Sequence, residues 1–557
     1  MAPVSGRMAL AIVAAIAATS HALSAPAPAT APAPKRVAVV GAGWGGLGAA
    51  KALAAQGVEV TVLDAGQPLV EMTTESGKPF DLGQRGFWKD YPNLNALGDE
   101  LGLDPYTEFT ESSFFGPEGL EATAPVFSGS MELPSPLGQV FASFDRFKRL
   151  PLADRASIAG LLYAMVDLNR TPETFAKYDR MSAHELFRTM RVSERLVEDF
   201  LKPTLLVGLF KPPEELSAAV TMELLYFYAL AHQTAFDVRW LKKGTVQSTL
   251  VQPFAESLEA TGLVKIKGGC FVASLDYDGD RVASVTYKEG DAAHTLDVDG
   301  VVLALGSTGM KNVMRGSPEL AKKAGDLSLA ASLDAIDVVA VRIWLDGVVD
   351  TDTPVGVLSR FEELRGAGGT FFLLDQLQKD HLDELWAGST ADNGARGSVL
   401  SCDFYNAGAI APLSDDAIVS LLMDTLLPQA YPAFGKVCVA DSCVKRFPKA
   451  VSWFSPGSFA KRPPLATSVP NVVCAGDWVR MGDREHGAKG LCQERALVSG
   501  YEACNELAAR GVLGKKATEV AVLPVRDDEV AYTTGARVNG AVQGALDRVG
   551  LGSFWVR

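Results

Sequence analysis

Three glycines near the N-terminus are spaced so that they could hold the phosphates of a dinucleotide. Gly41, Gly43 and Gly46 form a G-x-G-x-x-G pattern between an apolar strand that ends at Val40 and an alanine-rich helix, Ala49 to Gln56. In such a unit the first glycine permits the tight turn, the second lets the backbone approach a pyrophosphate, and the third lets helix and strand pack closely. The turn residues predicted to bind the cofactor are Gly41, Gly43, Trp44, Gly45 and Gly46.

An acidic side chain follows the second predicted strand, which runs from Val58 to Leu63. Asp64 stands about where a carboxylate meets the ribose 2′-hydroxyl of a bound dinucleotide. Because an acid at this position disfavours a 2′-phosphate, the sequence predicts FAD or NAD rather than NADP.

A second motif lies more than 400 residues further along the chain. The buried-strand pattern Asn471 to Trp478 contains Gly476 and Asp477, and a predicted helix follows from Gly490 to Leu507. The pair resembles the C-terminal flavin motif of the flavin amine oxidase and carotene desaturase superfamily. The resemblance implies FAD as cofactor, held by Gly476 and by Asp477 at the ribityl and phosphate region. It also implies that the helix start, with Leu491, faces the flavin pyrimidine, where a helix N-terminus favours an anionic reduced flavin.

Several short β-type runs separated by Asp-Gly and Glu-Gly turns lie between residues 264 and 299, before the apolar run that ends at Gly306. The resemblance implies that the backbone of Val272 contacts the adenine side. The predicted fold class is α/β, a Rossmann-type FAD-binding domain of the amine oxidase kind, assembled from three pieces and interleaved with an α+β substrate domain.

The predicted organisation follows from these motifs and from a chain of 557 residues, which exceeds the usual size of a single core. The predicted segments are a signal and transit leader (1–34), a first FAD-binding segment (35–135), a first, helical substrate segment (136–245), a second FAD-binding segment (246–330), a second substrate segment (331–460), a third FAD-binding segment (461–515) and a C-terminal tail (516–557). In the tail, Val538, Val542, Ala545, Leu546 and Val549 recur at helical spacing, so we predict an amphipathic helix that packs on the body, with membrane or partner contact as the alternative.

Composition bounds the possible partners. The formal net charge is −14 and no basic stripe is present, so nucleic acid is not an expected partner. The seven cysteines are scattered without metal-ligand spacing, which indicates a reducing compartment and argues against a metal site. The sequence makes no prediction of the oligomeric state.

The first 34 residues have the pattern of a targeting segment. Arg7 precedes the apolar run Met8 to Thr19, and small residues from Ala22 to Ala25 offer a cleavage site. This run is too short for a stable bilayer-spanning helix. The Ala- and Pro-rich stretch that follows resembles the transit region of the bipartite leaders of algae with secondary plastids. We therefore predict a plastid location, with secretion as the alternative.

The middle of the chain extends the resemblance to phytoene and ζ-carotene desaturases and carotenoid isomerases, over residues 36 to 508. The segments that carry it are Asp81–Trp88, Tyr91–Leu94, Phe200–Ala218, Asp237–Gly244, Arg342–Asp346 and Lys461–Pro464. One departure is the missing Gly-Gly-Arg-type turn after Asp64, for which Arg85 is a candidate substitute.

Chemistry at a flavin needs few protein groups, since the flavin itself accepts hydride. Catalytic residues are therefore left unassigned. Apolar runs such as Leu224 to His232 are either core helices or the lining of a polyene tunnel or membrane patch. His486 is either an acid/base group or a residue of a solvent loop.

The predicted function is an FAD-dependent oxidoreductase acting on an apolar polyene, a carotenoid desaturase or isomerase, with peripheral membrane association as a possible accompaniment. Two alternatives remain open from the sequence. They are an amine or polyamine oxidase of the same fold and a flavin-binding scaffold without turnover.

Overall fold

The computed structural model describes residues 34–550, except for residues 82, 130, 136, 143–145, 147–148, 169 and 388–395. All but the last residue of the predicted leader therefore lies outside the described residues. The described residues from Lys35 onward belong to one compact unit.

The regular elements are numbered in chain order. The strands are β1 (Arg36–Val40), β2 (Glu59–Leu63), β3 (Phe87–Trp88), β4 (Ser112–Gly116), β5 (Gly119–Ala124), β6 (Val238–Arg239), β7 (Val264–Lys267), β8 (Cys270–Asp278), β9 (Arg281–Glu289), β10 (Ala292–Asp297), β11 (Gly300–Leu303), β12 (Ala335–Leu345), β13 (Val355–Leu358), β14 (Gly368–Leu373), β15 (Val399–Tyr405), β16 (Val439–Ser452) and β17 (Val472–Cys474). The α-helices are α1 (Trp44–Ala55), α2 (Pro92–Glu100), α3 (Leu137–Ala142), α4 (Leu152–Ala156), α5 (Ile158–Leu168), α6 (Pro172–Asp179), α7 (Ala183–Thr189), α8 (Glu194–Leu196), α9 (Lys202–Gly208), α10 (Ala218–Leu225), α11 (Gln252–Glu259), α12 (Ser307–Gly316), α13 (Pro318–Lys323), α14 (Gly325–Ala331), α15 (Leu374–Leu377), α16 (Leu382–Leu385), α17 (Asp415–Ser420), α18 (Leu427–Ala430), α19 (Gln493–Ala509) and α20 (Val530–Arg548). Segments of π-helix continue several of them, at Val197–Leu201, Tyr226–Leu230, Gln247–Val251 and Leu421–Leu426.

A parallel sheet in the order β17-β11-β1-β2-β7 forms the first layer. Its central strands are apolar and buried, as expected for a parallel sheet that is covered on both faces. The predicted α/β class is thereby confirmed. The five strands come from three separated regions of the chain, while the predicted domain bounds stay a prediction.

A second sheet is antiparallel and has the order β10-β9-β8. Its three strands lie between β7 and β11 in the sequence. The β-type runs were predicted to extend to residue 299, but the last strand of this sheet, β10, runs from Ala292 to Asp297. The reason is register, since Ala292 pairs with Glu289 and Asp297 pairs with Ser284 across a tight hairpin.

A mixed seven-stranded sheet follows the order β16-β12-β15-β14-β13-β4-β5. Alternate side chains of its central strands, such as Val341, Phe371 and Phe404, point to one face and join an apolar cluster with Leu422 and Leu426. The opposite face carries polar side chains in its middle, among them Arg342 and Asp403.

The helices between residues 158 and 230 pack largely through apolar side chains in the main core. Helix α10 ends at Leu225, and the chain goes on without a break into the π-helical turn Tyr226–Leu230. Within the described residues of the chain, no helix combines the length and apolar character needed to cross a bilayer.

The tail docks mainly through an extended segment, residues 516–529, named here the C-terminal strap. Leu523 donates its N–H to Asn93 Oδ1 at 2.9 Å, and Arg526 binds both carboxylate oxygens of Asp90, at 2.7 and 2.8 Å. The strap therefore holds the chain on either side of the start of α2, which lies next to the C-terminal motif.

The predicted tail helix exists as α20, but its predicted packing face is wrong. Val538, Val542 and Val549 are 59%, 50% and 68% exposed. The helix docks through other groups: the Tyr532 ring packs on Tyr226 with 4.4 Å between centroids, and Asn539 bonds the Tyr163 hydroxyl at 3.1 Å and Asp167 at 2.9 Å. These local contacts outweigh the weak apolar stripe in setting the rotation of the helix.

His486 is buried, so the interpretation as a residue of a solvent loop was wrong, while an acid/base role stays a prediction. The residue is 6% exposed. Its Nδ1 accepts the Ala488 N–H at 3.2 Å, which leaves the proton on Nε2 to be donated to the Leu523 carbonyl at 3.1 Å. Burial lowers the pKa of His486 to about 4, with Arg495 and Lys489 acting in the same direction. The side chain is therefore a neutral bridge to the strap.

This bridge predicts a pH dependence of stability. Between pH 4 and 6.5 the unfolded chain binds a proton at His486 that the folded chain does not bind, so the stability is complete above about pH 6.5 and falls as the pH drops towards 4. The contribution is about 3 kcal/mol at most. Urea unfolding at pH 7 and pH 5 should show a larger acid loss for the parent protein than for His486→Gln. Equal losses in both proteins would contradict the assigned role.

Candidate active site

The glycine-rich turn has the geometry that the pattern predicts. Gly41 has a φ of +104°, and a Cβ there would lie 2.3 Å from the Ala304 carbonyl oxygen. A Cβ on Gly46 would lie 1.9 Å from the carbonyl oxygen of Gly41. A Cβ on Gly43 would meet no atom of the described residues within 4 Å. Gly43 is also the N-cap of α1, so open space lies at the helix N-terminus, where a pyrophosphate is favoured.

Asp64 closes this turn from the end of β2. Its two carboxylate oxygens accept the N–H groups of Ala42 and Gly66, each at 2.8 Å. Each oxygen keeps a lone pair, so the half-buried carboxylate is placed beside the turn and can still accept a ribose hydroxyl.

Val272 lies close to this acid. It is in β8, the outer strand of its sheet, two residues after Cys270, whose N–H donates to the Asp64 carbonyl at 2.7 Å. The Val272 side chain is buried. This places the start of β8 at the ribose end of the predicted cofactor site, while the contact of Val272 with adenine stays a prediction.

Helices α1 and α19 cross at close range through small residues. A Cβ on Gly45 would lie 3.0 Å from the Gly476 nitrogen, and one on Gly500 would lie 2.2 Å from the Gly45 carbonyl oxygen. The structure thus gives Gly45 a packing role, which brings the two sequence motifs together. Trp44, at the start of α1, donates its Nε1–H to Gln493 at 3.1 Å and fixes the two helix starts side by side.

The first residues of α19 hold three neighbouring segments. Glu494 accepts the N–H groups of Asn93 and Leu94 at 2.9 Å and so caps α2. Arg495 donates to the carbonyls of Asp477 and Val479 at 2.9 and 2.7 Å. The Gln-Glu-Arg run is therefore structural, and the helix N-terminus itself, with Leu491 just before it, remains available to a ligand.

Asp477 lies among arginines in the turn after β17. Gly476 precedes it with a φ of +130° and donates its N–H to the Ser499 hydroxyl at 2.7 Å. Loss of hydration raises the pKa of Asp477 to about 6, although Arg462, Arg495 and Arg85 act in the opposite direction. A ribityl hydroxyl that donates to this carboxylate would compensate for some of the lost hydration.

We expect Asp477→Ala to weaken FAD binding by about 1.5 to 3 kcal/mol, the scale of a hydrogen bond to a charged group. The dissociation constant can be measured by titrating flavin-depleted protein with FAD. Asp483→Ala, in the following loop, is a suitable control. An unchanged constant for Asp477→Ala would show that this motif is misassigned.

The helix formed by α10 and Tyr226–Leu230 separates a large cavity from α19, which is called the flavin helix here because its start is predicted to face the flavin. Leu224 packs on Gly490, since a Cβ built on that glycine would lie 2.8 Å from the Leu224 Cδ1. On the same helix the Tyr228 hydroxyl lies 3.1 Å from the Tyr91 hydroxyl, beside Cys492. The next residues round the same helix, Leu225 and Ala229, line the cavity instead. The cavity has a volume of about 520 Å³.

The cavity lining is almost wholly apolar. Its residues are Ala124, Pro125, Phe127, Gln139, Leu150, Leu152, Arg155, Ala156, Ile158, Leu161, Leu162, Leu196, Phe200, Leu201, Leu225, Ala229, Leu230 and Phe236. Phe227, in the run Leu224 to His232 that was predicted as core or tunnel lining, does not line the cavity and packs edge-on against Tyr228. Leu209 packs towards Gly490 and does not line it either.

Cys492 has no feature of a reactive thiol. It is 2% exposed as the N-cap of α19. Burial raises its pKa to about 11, even though hydrogen bonds with Tyr228 and Tyr91 act to lower it. The protonated thiol fills space between these tyrosines.

A polar patch on the mixed sheet was not predicted from the sequence. Arg342 on β12 and Asp403 on β15 are 3% and 2% exposed, with Tyr405 on the same face of β15. The N–H of Gln84 donates to Asp403 Oδ2 at 3.0 Å, and Phe210, in a left-handed conformation, packs on the Tyr405 ring. Arg342 stood out only within a desaturase-like segment, because its register opposite β15 is not visible in the sequence.

These features together fit FAD. The open space at Gly43, the acid beside it, and the uncapped start of α19 with Asp477 match the phosphates, the ribose and the flavin end of one extended molecule. Bound FAD would supply a hydride acceptor, while the chain holds it, orients the substrate and excludes water.

Comparison with known proteins also supports a flavin cofactor. The sequence profile described as "Flavin containing amine oxidoreductase" matches residues 44–508. A carotenoid phi-ring synthase of Streptomyces griseus is 27% identical over 511 residues, which cover 86% of this chain and 88% of the relative. The 15-cis-phytoene desaturase of Solanum lycopersicum is 26% identical over 314 residues, which cover 55% of this chain and 52% of the relative.

Solved amine oxidases share the fold. A putrescine oxidase variant superposes with a TM-score of 0.60, and the cyclohexylamine oxidase of Brevibacterium oxydans with 0.58. Each is 15% identical, and each comparison covers 86% of this chain and 99% of the other. The cofactor is FAD. With its profile match extending over most of its length, the chain belongs to the family of flavin-containing amine oxidoreductases.

Proposed function

We propose that the protein oxidises or isomerises an apolar polyene, as a carotenoid desaturase or isomerase. The observation that carries this proposal is the apolar cavity of about 520 Å³, which only one helix separates from the start of the flavin helix. Its volume falls in the range of small-molecule sites. Burial of apolar surface, at about 25 cal/mol per Å², would give a polyene most of its affinity without polar contacts.

The relatives favour the same substrate class. The names of the phi-ring synthase and of the phytoene desaturase both refer to carotenoid chemistry. The identities of 27% and 26% leave the precise substrate and the choice between desaturation and isomerisation to experiment.

The test is incubation of the FAD-loaded protein with a panel of carotenoids in liposomes, aerobically and anaerobically, with product analysis. We expect conversion of at least one carotenoid and no rapid flavin reduction by spermine or a monoamine. Rapid reduction by an amine without conversion of any carotenoid would assign the protein to the amine oxidases. Absence of turnover with both classes would favour a flavin-binding scaffold.

We also propose that residues 1–34 direct the protein to a plastid, where it meets its substrate at a membrane surface. The support is the order of basic, apolar and Ala/Pro-rich stretches in the leader. A fluorescent fusion of residues 1–50 should reach the plastid of an alga with secondary plastids. A secreted reporter would overturn this proposal.

A further inference from the structure

Arg85 is a charged side chain that has no direct partner near the point where the two cofactor motifs meet. The residue is half-buried, so its side chain is not sealed from solvent. Among the described residues, its guanidinium forms no hydrogen bond and no ion pair. A guanidinium carries five N–H donors and is always charged in proteins. Placing it in a partly dry site is costly unless something accepts these donors, so the arrangement indicates an occupant.

The backbone on either side of Arg85 is fixed by hydrogen bonds. Gln84 donates its N–H to Asp403 Oδ2 at 3.0 Å. The Gly86 carbonyl accepts the Gln493 side-chain amide at 3.2 Å. Arg85 therefore lies between β15 of the mixed sheet and the first residue of the flavin helix.

The guanidinium is directed towards the flavin end of the cofactor site. Asp477, in the C-terminal motif, is also half-buried, and no ion pair joins it to Arg85 within the part of the chain that the structure describes. The charge of Arg85 nevertheless lowers the pKa of both Asp477 and Asp403. Two oppositely charged groups that act on each other without contact, and that both reach solvent, leave room for a ligand between them.

The position fits the flavin ring better than the pyrophosphate. The phosphates are predicted at Gly43, the N-cap of α1 beside the parallel sheet. Arg85 lies instead near Asp403 and Tyr405 of the mixed sheet, whose pKa values its charge also lowers. The adjacent start of α19 is where the pyrimidine of the flavin is expected. Arg85 is therefore poorly placed to replace the missing arginine of the turn after Asp64.

We propose that Arg85 binds the flavin ring and stabilises the negative charge that the ring gains on reduction. A hydride brings two electrons and one proton, so a neutral oxidised ring becomes an anion when it accepts hydride. A guanidinium binds an anion more strongly than a neutral acceptor. Arg85 thus acts together with the N-terminus of α19 and raises the reduction potential of the cofactor. The inference goes beyond the proposed function, because it holds whatever the substrate is.

The experiment measures the two-electron reduction potential of bound FAD by equilibration with a reference dye. We expect the potential of Arg85→Met to lie about 30 mV or more below that of the parent protein, which corresponds to a tenfold loss in the equilibrium constant for reduction. Titration of the flavin-depleted variant with FAD should give a dissociation constant near the parent value, because the oxidised ring is neutral.

Three further variants separate a local contact from general effects. Arg85→Lys keeps the charge and should restore most of the lost potential. Arg85→Gln keeps a polar side chain and carries the test where Arg85→Met fails to fold. Lys89→Met is the matched control, because it removes a positive charge from the same segment, where Lys89 binds the Ser128 hydroxyl at 3.2 Å in an exposed position. It should keep the parent potential.

The outcomes separate this inference from the proposed function. An unchanged potential in the Arg85 variants, or an equal decrease in Lys89→Met, would overturn the inference. Loss of FAD from Arg85→Met and Arg85→Gln would assign Arg85 to binding of the whole cofactor and overturn it as well. Conversion of a carotenoid by the parent protein is a separate measurement, so its failure would reject the proposed function and leave the potential difference intact.

Discussion

Gly43→Val is expected to leave the protein folded and to remove its flavin. The built Cβ of Gly43 meets nothing within 4 Å in the described residues, and its φ of −74° and ψ of −178° are open to a β-branched residue. The same side chain would project into the space where the pyrophosphate approaches the start of α1. Purified Gly43→Val should therefore show the parent circular dichroism spectrum and no visible flavin absorbance.

Gly46→Val is the matched control within the same turn. Its Cβ would lie 1.9 Å from the Gly41 carbonyl oxygen, so strand and helix would have to separate. We expect a loss of about 3 kcal/mol or more in the free energy of unfolding. The two variants thus distinguish a glycine that serves the ligand from one that serves the fold. Full flavin occupancy in Gly43→Val would contradict the predicted phosphate site.

The cofactor half of the site could be predicted from the sequence because local geometry determines it. The strand, the turn and the helix around Gly41 and Gly43 are consecutive, and the position of Asp64 follows from the length of the βαβ unit. The C-terminal motif could also be identified from the sequence. Its contact with the first motif depends on Gly45 and Gly500, which the sequence did not identify as a packing pair.

The substrate side depends on contacts between distant segments, and these were not predictable. The neighbourhood of Arg342 and Asp403 arises from strand order and register in a sheet whose adjacent strands β12 and β15 are more than 50 residues apart. The strap is a similar case, because its binding to Asn93 and Asp90 uses polar side chains without periodicity. Apolar periodicity alone gave the wrong face for α20.

The apolar cavity yields the second large expected effect, because filling it should exclude a polyene without disturbing the flavin. Ala229 lines the cavity of about 520 Å³, and Ala229→Phe would place a ring in it. Losing roughly 100 Å² of apolar contact at about 25 cal/mol per Å² corresponds to about 2.5 kcal/mol, or roughly 70-fold in affinity. We expect the KM for a carotenoid to rise by that order while flavin occupancy stays at the parent level.

Ala231→Phe is the control for this prediction. Ala231 lies two residues after Ala229 and faces a different cavity. Ala231 lines a separate cavity of about 190 Å³ beside Tyr532 and the C-terminal strap. Filling that cavity should change thermal stability and leave the KM for the carotenoid near the parent value. If both variants raise KM alike, the effect comes from a general distortion of the helix. If neither does, the polyene binds elsewhere, and the 520 Å³ cavity loses its assigned role as the substrate site.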